Sequence, residues 1–383
     1  MPDISILGST GSIGKQALEV IGSLGDDYRV IALTANSSVS LLSEQARFFM
    51  PEFVALADTE KFDILTEELN GFDIELAGGK DALKKASSLP GADIVLIAVV
   101  GFSGFEPALH ALKSGKKVAL ANKESLIIGG ELIAREIPGF SNLIIPVDSE
   151  HSAIYQCLRG EDKRSVKRII LTASGGPFRG MKKRELEGAT AKEALKHPNW
   201  EMGAKITIDS ATMMNKGFEV LEARWLFDIP LEKIEVLVHP QSIVHSLVEF
   251  VDGSVIAQLS SPDMRLPIQY AFTYPDRQFS LCPQIDFVKQ PLYFEEPDNQ
   301  SFPCLSYAYE AGRVGGTMPA CLNAANEVAV ELFLRGEIGF NGIAALIRAV
   351  MDDHETILNP TFDEITEADS FSRERALHLV SLL

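Results

Sequence analysis

The sequence predicts an α/β chain in four parts: a doubly wound parallel sheet over residues 1–147, an α+β domain over 148–274, a connector over 275–303 and a small helical domain over 304–383. Three observations carry this reading. Short β-branched runs alternate with amphipathic stretches through the first 147 residues, the pattern of βαβ units around a sheet buried on both faces. Beyond residue 148 apolar and polar residues alternate, the period of a half-exposed sheet. Five of the 19 prolines then fall at 275, 283, 291, 297 and 303, marking an extended connector, after which helical spacing takes over.

In the first part, strands are expected at Ile4–Leu7, Val30–Leu33, Phe53–Leu56, Ile94–Ala98, Val118–Leu120 and Leu143–Val147. Helices fall between them at Ile13–Leu24, Leu41–Phe49 and Phe105–Lys113. The second part offers strands at Val166–Thr172, Ile234–Val238, Ser246–Val251 and Val255–Leu259. Two long polar loops, Ser174–Arg184 and Ala194–Lys216, separate them, and loops of that length in a compact domain usually carry function. Helices Met318–Arg335 and Gly342–Met351 follow the connector, with Thr317 as N-cap and Pro319 in the first turn. These helices are expected to brace the connector against the preceding domain.

The 383 residues carry 35 basic and 53 acidic side chains, a net charge of −18. That balance argues against a nucleic-acid binder, which would present a basic surface. With 46% hydrophobic and 23% charged residues, the composition is that of a globular protein with a large core. The longest apolar run, Ile94–Val100, has the length of a buried strand and not of a bilayer span. The N-terminus enters a strand without the basic segment of a signal peptide. Cys157, Cys282, Cys304 and Cys321 form no CxxC pair and sit among apolar neighbours, as reduced thiols do. A cytoplasmic protein with no membrane and no nucleic-acid partner is expected.

Three constellations could carry chemistry. The first is Gly8-Ser9-Thr10-Gly11-Ser12-Ile13-Gly14, between a strand and a helix. Glycines there allow a tight turn and let a pyrophosphate reach the amides of the helix N-terminus, the Rossmann-like dinucleotide arrangement. After the second strand, Thr34-Ala35-Asn36-Ser37-Ser38 lacks the carboxylate with which NAD sites bind the adenosine ribose, so NADP(H) is favoured. Arg47 either reaches the 2′-phosphate or is a solvated surface residue.

The second constellation, Asp148-Ser149-Glu150, follows the strand Leu143–Val147. In an extended segment its two carboxylates would point the same way. With Glu219 they make three carboxylates without a His or Cys partner, which suits a hard divalent ion, Mg²⁺ or Mn²⁺. In a chain with 53 acids a solvated loop is the competing account. The third constellation comprises Ser174, His197, Ser210, Asn215 and Lys216, in loops rich in small residues. Together they would bind a phosphate monoester, and singly each would be a turn or surface residue. Trp200 and Met202, on a loop bordered by glycine and proline, form either a lid or core contacts.

Eight segments together give the chain a resemblance to the 1-deoxy-D-xylulose 5-phosphate reductoisomerase family. They are GSTGSIG (8–14), LANKES (120–125), PVDSEH (146–151), LTASGGPFR (171–179), HPNWEMG (197–203), DSATMMNKGFE (209–219), HPQSIVHS (239–246) and GGTMPACLNAANE (315–327). The resemblance implies an oxidoreductase acting on CH-OH with NADPH and a divalent metal (Mg²⁺, Mn²⁺ or Co²⁺), taking a phosphorylated ketose in isoprenoid biosynthesis. It implies a skeletal rearrangement by retro-aldol cleavage and re-addition, then hydride reduction of the aldehyde to 2-C-methyl-D-erythritol 4-phosphate.

The same resemblance implies that Asp148, Glu150 and Glu219 bind the metal. It places Ser174, Ser210, Asn215 and Lys216 around the substrate phosphate and its neighbouring hydroxyl. Lys123, Ser149 and His197 then also contact substrate, with Lys123 handling a proton or charge. Thr10, Gly11, Ser12, Ile13, Asn122, Glu124 and Gly203 match cofactor positions, with Asn36, Ser37 and Ser38 at the 2′-phosphate. Residues 194–208 match a mobile lid carrying Trp200, and a homodimer is implied. One departure stands out. Many members read Gly-Lys-Asn where this chain reads Asn36-Ser37-Ser38, so NADPH affinity or selectivity over NADH is expected to be weaker. Two other readings compete: another two-domain NADP-dependent reductase, which would not need a metal, and a non-catalytic dinucleotide-binding protein, which fold alone does not exclude.

Overall fold

Seven strands make a parallel sheet: β1 (Asp3–Leu7), β2 (Arg29–Ala35), β3 (Phe53–Leu56), β4 (Glu75–Gly78), β5 (Ile94–Ile97), β6 (Lys117–Leu120) and β7 (Ile144–Pro146). Their order is β4-β3-β2-β1-β5-β6-β7, so the winding reverses at β1, which pairs with β2 on one side and β5 on the other. In open α/β sheets that reversal opens a crevice at the carboxyl ends of the strands. β3 and β5 are buried along their whole length, as expected of strands covered on both faces. The short edge strand β4 and the helices Phe62–Glu68 and Lys80–Ser87 add to the expected set. This computed structural model describes residues 2–200, 202–288 and 291–380.

The sheet belongs to the first of two units, made of Met1–Ser125, Ile137–Ser152 and Asp263–Pro283. The second comprises Leu126–Glu136, Ala153–Pro262 and Gln284–Leu383. Its sheet holds β8 (Val166–Ala173), β9 (Ile234–Val238), β10 (Val244–Phe250) and β11 (Val255–Leu259), in the order β11-β10-β8-β9. β8 runs parallel to β9 and antiparallel to β10. Four helices follow late in the chain: Cys304–Val314, Met318–Leu334, Phe340–Asp353 and Phe362–Val380. Met318–Leu334 is buried along nearly all its length and packs against the other three and against the helix Ala204–Ala211.

Three local expectations need correction. Residues 194–216 are not one long loop, because the helix Ala204–Ala211 and the start of the helix Met214–Phe227 interrupt the stretch. They are separated by Thr212 and by Met213, whose φ of 64° breaks the helical path. Asp148-Ser149-Glu150 is not extended, since Ser149 opens a helix to Cys157. Thr317 precedes its helix but does not cap it. Its hydroxyl is instead engaged by His354 Nε2 (2.8 Å) and the Ile357 amide (3.0 Å).

Among the described residues, 275–303 are largely irregular and touch a sheet only where Glu295 bridges Val238. Lys289 and Gln290 of that stretch, and Glu201 of the expected lid, lie outside the described residues. All four cysteines are free. Among the described residues no helix is long and apolar enough to cross a membrane.

Candidate active site

In the first unit the glycine turn joins β1 to the helix Ser12–Leu24. A Cβ on Gly14 would stand 2.3 Å from the Gly8 carbonyl oxygen and 2.5 Å from Ser9 Cα, so only glycine lets the helix come this close to the turn. Ser9 faces inward: its Oγ donates to Gln45 Oε1 (2.7 Å), and Gln45 Nε2 donates back to the Ser9 carbonyl (3.0 Å). Thr10 and Ile13 are half-buried, while Gly11 and Ser12 are exposed. No side chain caps this helix and no acid lies in its first turn, which leaves the amides and the dipole available to an anion. That is a fit for a dinucleotide pyrophosphate.

After β2, Asn36 and Ser38 are exposed and Ser37 is half-buried. Ser38 precedes the helix Val39–Phe49 without capping it. Arg47 follows the surface account: it donates to the Glu68 carbonyl (2.6 Å) and pairs with the Glu68 carboxylate (3.8 Å). Asn122 is buried and acts as an internal brace. Its Nδ2 donates to the Val99 and Gly101 carbonyls (3.1 and 3.0 Å) and to Glu124 Oε2 (2.8 Å), while its Oδ1 accepts from the Ser125 amide (2.9 Å).

The structure brings Lys123, Asp148, Ser149 and Glu150 together. Asp148 sits just before the helix Ser149–Cys157, and its Oδ1 accepts from the Glu150 and His151 amides (3.1 and 3.3 Å). An aspartate before a first turn satisfies amides that would otherwise lack partners, which is why the segment is helical. The other carboxylate oxygen is ion-paired with Lys123 Nζ. Glu150 accepts from Ser149 Oγ at 2.5 Å. His151, assigned no role from the sequence, is fully buried with Nδ1 3.7 Å from Asp148 Oδ1. Its place three residues after Asp148, on the same helix face, was the available signal.

In the second unit Ser174, His197 and Ser210 converge. His197 Nδ1 accepts from the Asn199 and Trp200 amides (3.2 and 3.0 Å), so in the neutral ring Nε2 holds the proton and donates to Ser174 Oγ (2.9 Å). The Gly176 amide donates to the same oxygen (3.2 Å). The Ser174 proton is thereby left for Ser210 Oγ, 3.5 Å away, or for a ligand oxygen. Gly176, at φ +67°, lies against the end of Ala204–Ala211, where a Cβ would meet the Ser210 carbonyl at 2.7 Å. Exposed Gly203 precedes that helix.

Asn215, Lys216 and Glu219 share one face of Met214–Phe227. Asn215 Nδ2 donates to Glu219 Oε1 (2.7 Å), and Lys216 Nζ pairs with Oε2. Lys216 and Glu219 are 4% and 1% exposed, so this ion pair is almost fully desolvated. Asn215 Oδ1 is buried without a partner among the described residues and can accept from a ligand hydroxyl. Trp200 is half-buried, its ring 6.2 Å from that of His245. Its loop is tied to the 239–246 segment by Asn199 Nδ2, which donates to the Pro240 carbonyl (2.6 Å) and Ser242 Oγ (2.9 Å). His239 Nδ1 donates to the Tyr293 carbonyl (2.7 Å), and burial pushes its pKa down, keeping the ring neutral.

Three segments match family profiles: 4–130 that of 1-deoxy-D-xylulose 5-phosphate reductoisomerase, and 144–227 and 259–375 two described as C-terminal domains of the same family. The chain is 53% identical over 382 residues to the reductoisomerase of Pelotomaculum thermopropionicum, covering 99% of both. It is 54% identical over 379 residues to that of Caldanaerobacter subterraneus subsp. tengcongensis, covering 98% of this chain and 99% of the relative. Among solved structures, the Zymomonas mobilis enzyme in complex with NADPH superposes with a TM-score of 0.94 at 43% identity, over the whole of both chains. A reductoisomerase bound to NADPH, fosmidomycin and magnesium also gives 0.94, at 38% identity, over 100% of this chain and 99% of that one. Identity this high over the full length, on the same fold, makes this chain a member of the 1-deoxy-D-xylulose 5-phosphate reductoisomerase family.

Proposed function

We propose that this chain converts 1-deoxy-D-xylulose 5-phosphate into 2-C-methyl-D-erythritol 4-phosphate, by skeletal rearrangement and then reduction, in non-mevalonate isoprenoid biosynthesis. The observation that carries the reading is the buried Asn215–Lys216–Glu219 cluster, a cation, a carboxylate and an open acceptor on one helix face. Ser174, Ser210, Asn215 and Lys216 hold the substrate phosphate and its neighbouring hydroxyl, with neutral donors and one cation as a phosphate monoester requires. His197 orients the Ser174 hydroxyl, and Trp200, on the 194–208 lid, excludes water above the substrate. Lys123 holds a proton at Nζ and offsets negative charge developing on the substrate, and Ser149 positions the reacting end.

Asp148, Glu150 and Glu219 hold a divalent ion, Mg²⁺, Mn²⁺ or Co²⁺, for which an all-oxygen donor set is suited. Thr10, Gly11, Ser12 and Ile13 would hold NADPH, with Asn36, Ser37 and Ser38 offered to its 2′-phosphate and Asn122, Glu124 and Gly203 as further cofactor residues. When bound, the ion supplies Lewis acidity at the substrate carbonyl and adjacent hydroxyl, and NADPH supplies the hydride. In this reading residues 1–147 serve the cofactor, 148–274 the metal and substrate, 275–303 connect, and 304–383 support. The test is product identity: the substrate incubated with NADPH and Mg²⁺ should yield 2-C-methyl-D-erythritol 4-phosphate by NMR. Unchanged substrate with a folded, NADPH-binding protein would refute the assignment.

Ser37 stands where many family members carry a lysine. Ser37→Lys should raise the preference for NADPH over NADH about tenfold, the worth of one charge-assisted hydrogen bond to the 2′-phosphate. An unchanged ratio of specificity constants would show that this position does not meet the phosphate.

A homodimer in the cytoplasm completes the reading. The outer strand β11 leaves Val255 and Ile256 exposed at a sheet edge that a second copy can cover, and four free thiols suit a reducing compartment.

A further inference from the structure

The helices Ala204–Ala211 and Met214–Phe227 carry three of the four residues proposed above to hold the substrate phosphate, Ser210, Asn215 and Lys216, and both are fixed from behind by the late helices. Asp209, one residue before Ser210, is 1% exposed. Its Oδ1 accepts from Asn326 Nδ2 at 2.8 Å, and its Oδ2 meets Lys205 Nζ at 2.9 Å. A carboxylate can only accept here, so the Asn326 amide must present its nitrogen. Asn326 is fully buried on Met318–Leu334, in the 315–327 segment to which the proposed function gives only a supporting role.

Lys205 in turn lies 4.9 Å over the ring of Phe218, the residue before Glu219. The second attachment is at Gly217, next to Lys216. A Cβ there would stand 2.6 Å from Ala308 Cβ, so the helix Cys304–Val314 is seated directly against the phosphate-side helix. Two contacts therefore flank the break at Met213. One fixes the helix ending near Ser210, and the other fixes the helix beginning with Asn215 and Lys216.

We infer that Asn326 is a positioning residue for phosphate recognition: through Asp209 it sets where Ser210 stands relative to Asn215 and Lys216. A buried carboxylate so close to an anion site is costly on electrostatic grounds. Lys205, four residues earlier on the same helix, offsets its charge, and Asn326, on another helix, fixes where it stands. The late helices thus serve the substrate site itself, which goes beyond bracing the connector. The inference rests on the assignment of Ser210, Asn215 and Lys216 to the phosphate.

Asn326→Ala should raise KM for 1-deoxy-D-xylulose 5-phosphate about tenfold, as expected when donors shift by a fraction of an ångström. The Kd for inorganic phosphate, measured by calorimetry on the whole protein, should rise in parallel. kcat and the KM for NADPH should stay within about twofold, because no catalytic or cofactor group is touched. The exchange Asn326→Asp with Asp209→Asn re-forms the bond in the reverse sense and should recover most of the loss. Unchanged KM and phosphate Kd in folded Asn326→Ala overturn the inference. So does an equal fall in kcat and in affinity for both ligands, or an exchange that recovers nothing, since each marks a merely structural contact. Wild-type protein that turns over no substrate strikes the proposed function instead.

Discussion

Glu219→Gln is expected to lower metal-dependent turnover roughly a thousandfold, the worth of several kcal/mol of Lewis-acid stabilisation, while NADPH binds as before. The substitution keeps side-chain volume and an oxygen that can accept from Asn215 Nδ2, now 2.7 Å from Glu219 Oε1. It removes the negative charge that a hard divalent ion requires and that Lys216 now faces from a position 4% exposed. The variant should therefore also melt at a lower temperature, because a buried ammonium loses its counter-charge. Cofactor affinity is the discriminating readout, measured by NADPH fluorescence titration. A large loss there would place Glu219 in the cofactor site and undo the metal assignment.

Gly14→Ala is the complementary case, acting on cofactor affinity. The added methyl would meet backbone atoms only: the Gly8 oxygen at 2.3 Å, Ser9 Cα at 2.5 Å and the Ser9 carbonyl carbon at 2.7 Å. No rotamer change can relieve such contacts, so the turn must move away from the helix and carry Thr10 to Ile13 with it. A shift of about 1 Å at amides facing a pyrophosphate should weaken NADPH about a hundredfold. Wild-type affinity in this variant would mean that the turn holds something other than the dinucleotide phosphates.

What could be read from the sequence follows from the range of the interactions involved. The glycine turn was legible because its requirement is local: a strand, a helix and the close approach between them fix glycine at set spacings. Strands β3, β9 and β11 match their expected bounds because a short run of apolar and β-branched residues is also a local property. β4, as short as β3, escaped because its sequence, ELAG, has no β-branched residue and no continuous apolar run. The alternating acids of Asp148-Ser149-Glu150 suggest an extended segment, although aspartate before serine and glutamate is also a helix-start signal. The helix behind it, SEHSAIYQC, has little amphipathic contrast to support that reading. Met213 stands left-handed between two helices, a conformation no β-branched or glycine signal announces. The contact between Asp209 and Asn326, 117 residues apart, is set by helix packing and has no trace in spacing.

The most direct test of the account is NADPH oxidation on adding 1-deoxy-D-xylulose 5-phosphate with Mg²⁺ or Mn²⁺, repeated with excess chelator and with NADH in place of NADPH. The account predicts oxidation that chelation stops and metal restores, with only a modest preference for NADPH because no lysine stands among Asn36, Ser37 and Ser38. Oxidation that survives complete chelation would contradict it and point to a metal-free reductase acting through the dinucleotide domain alone.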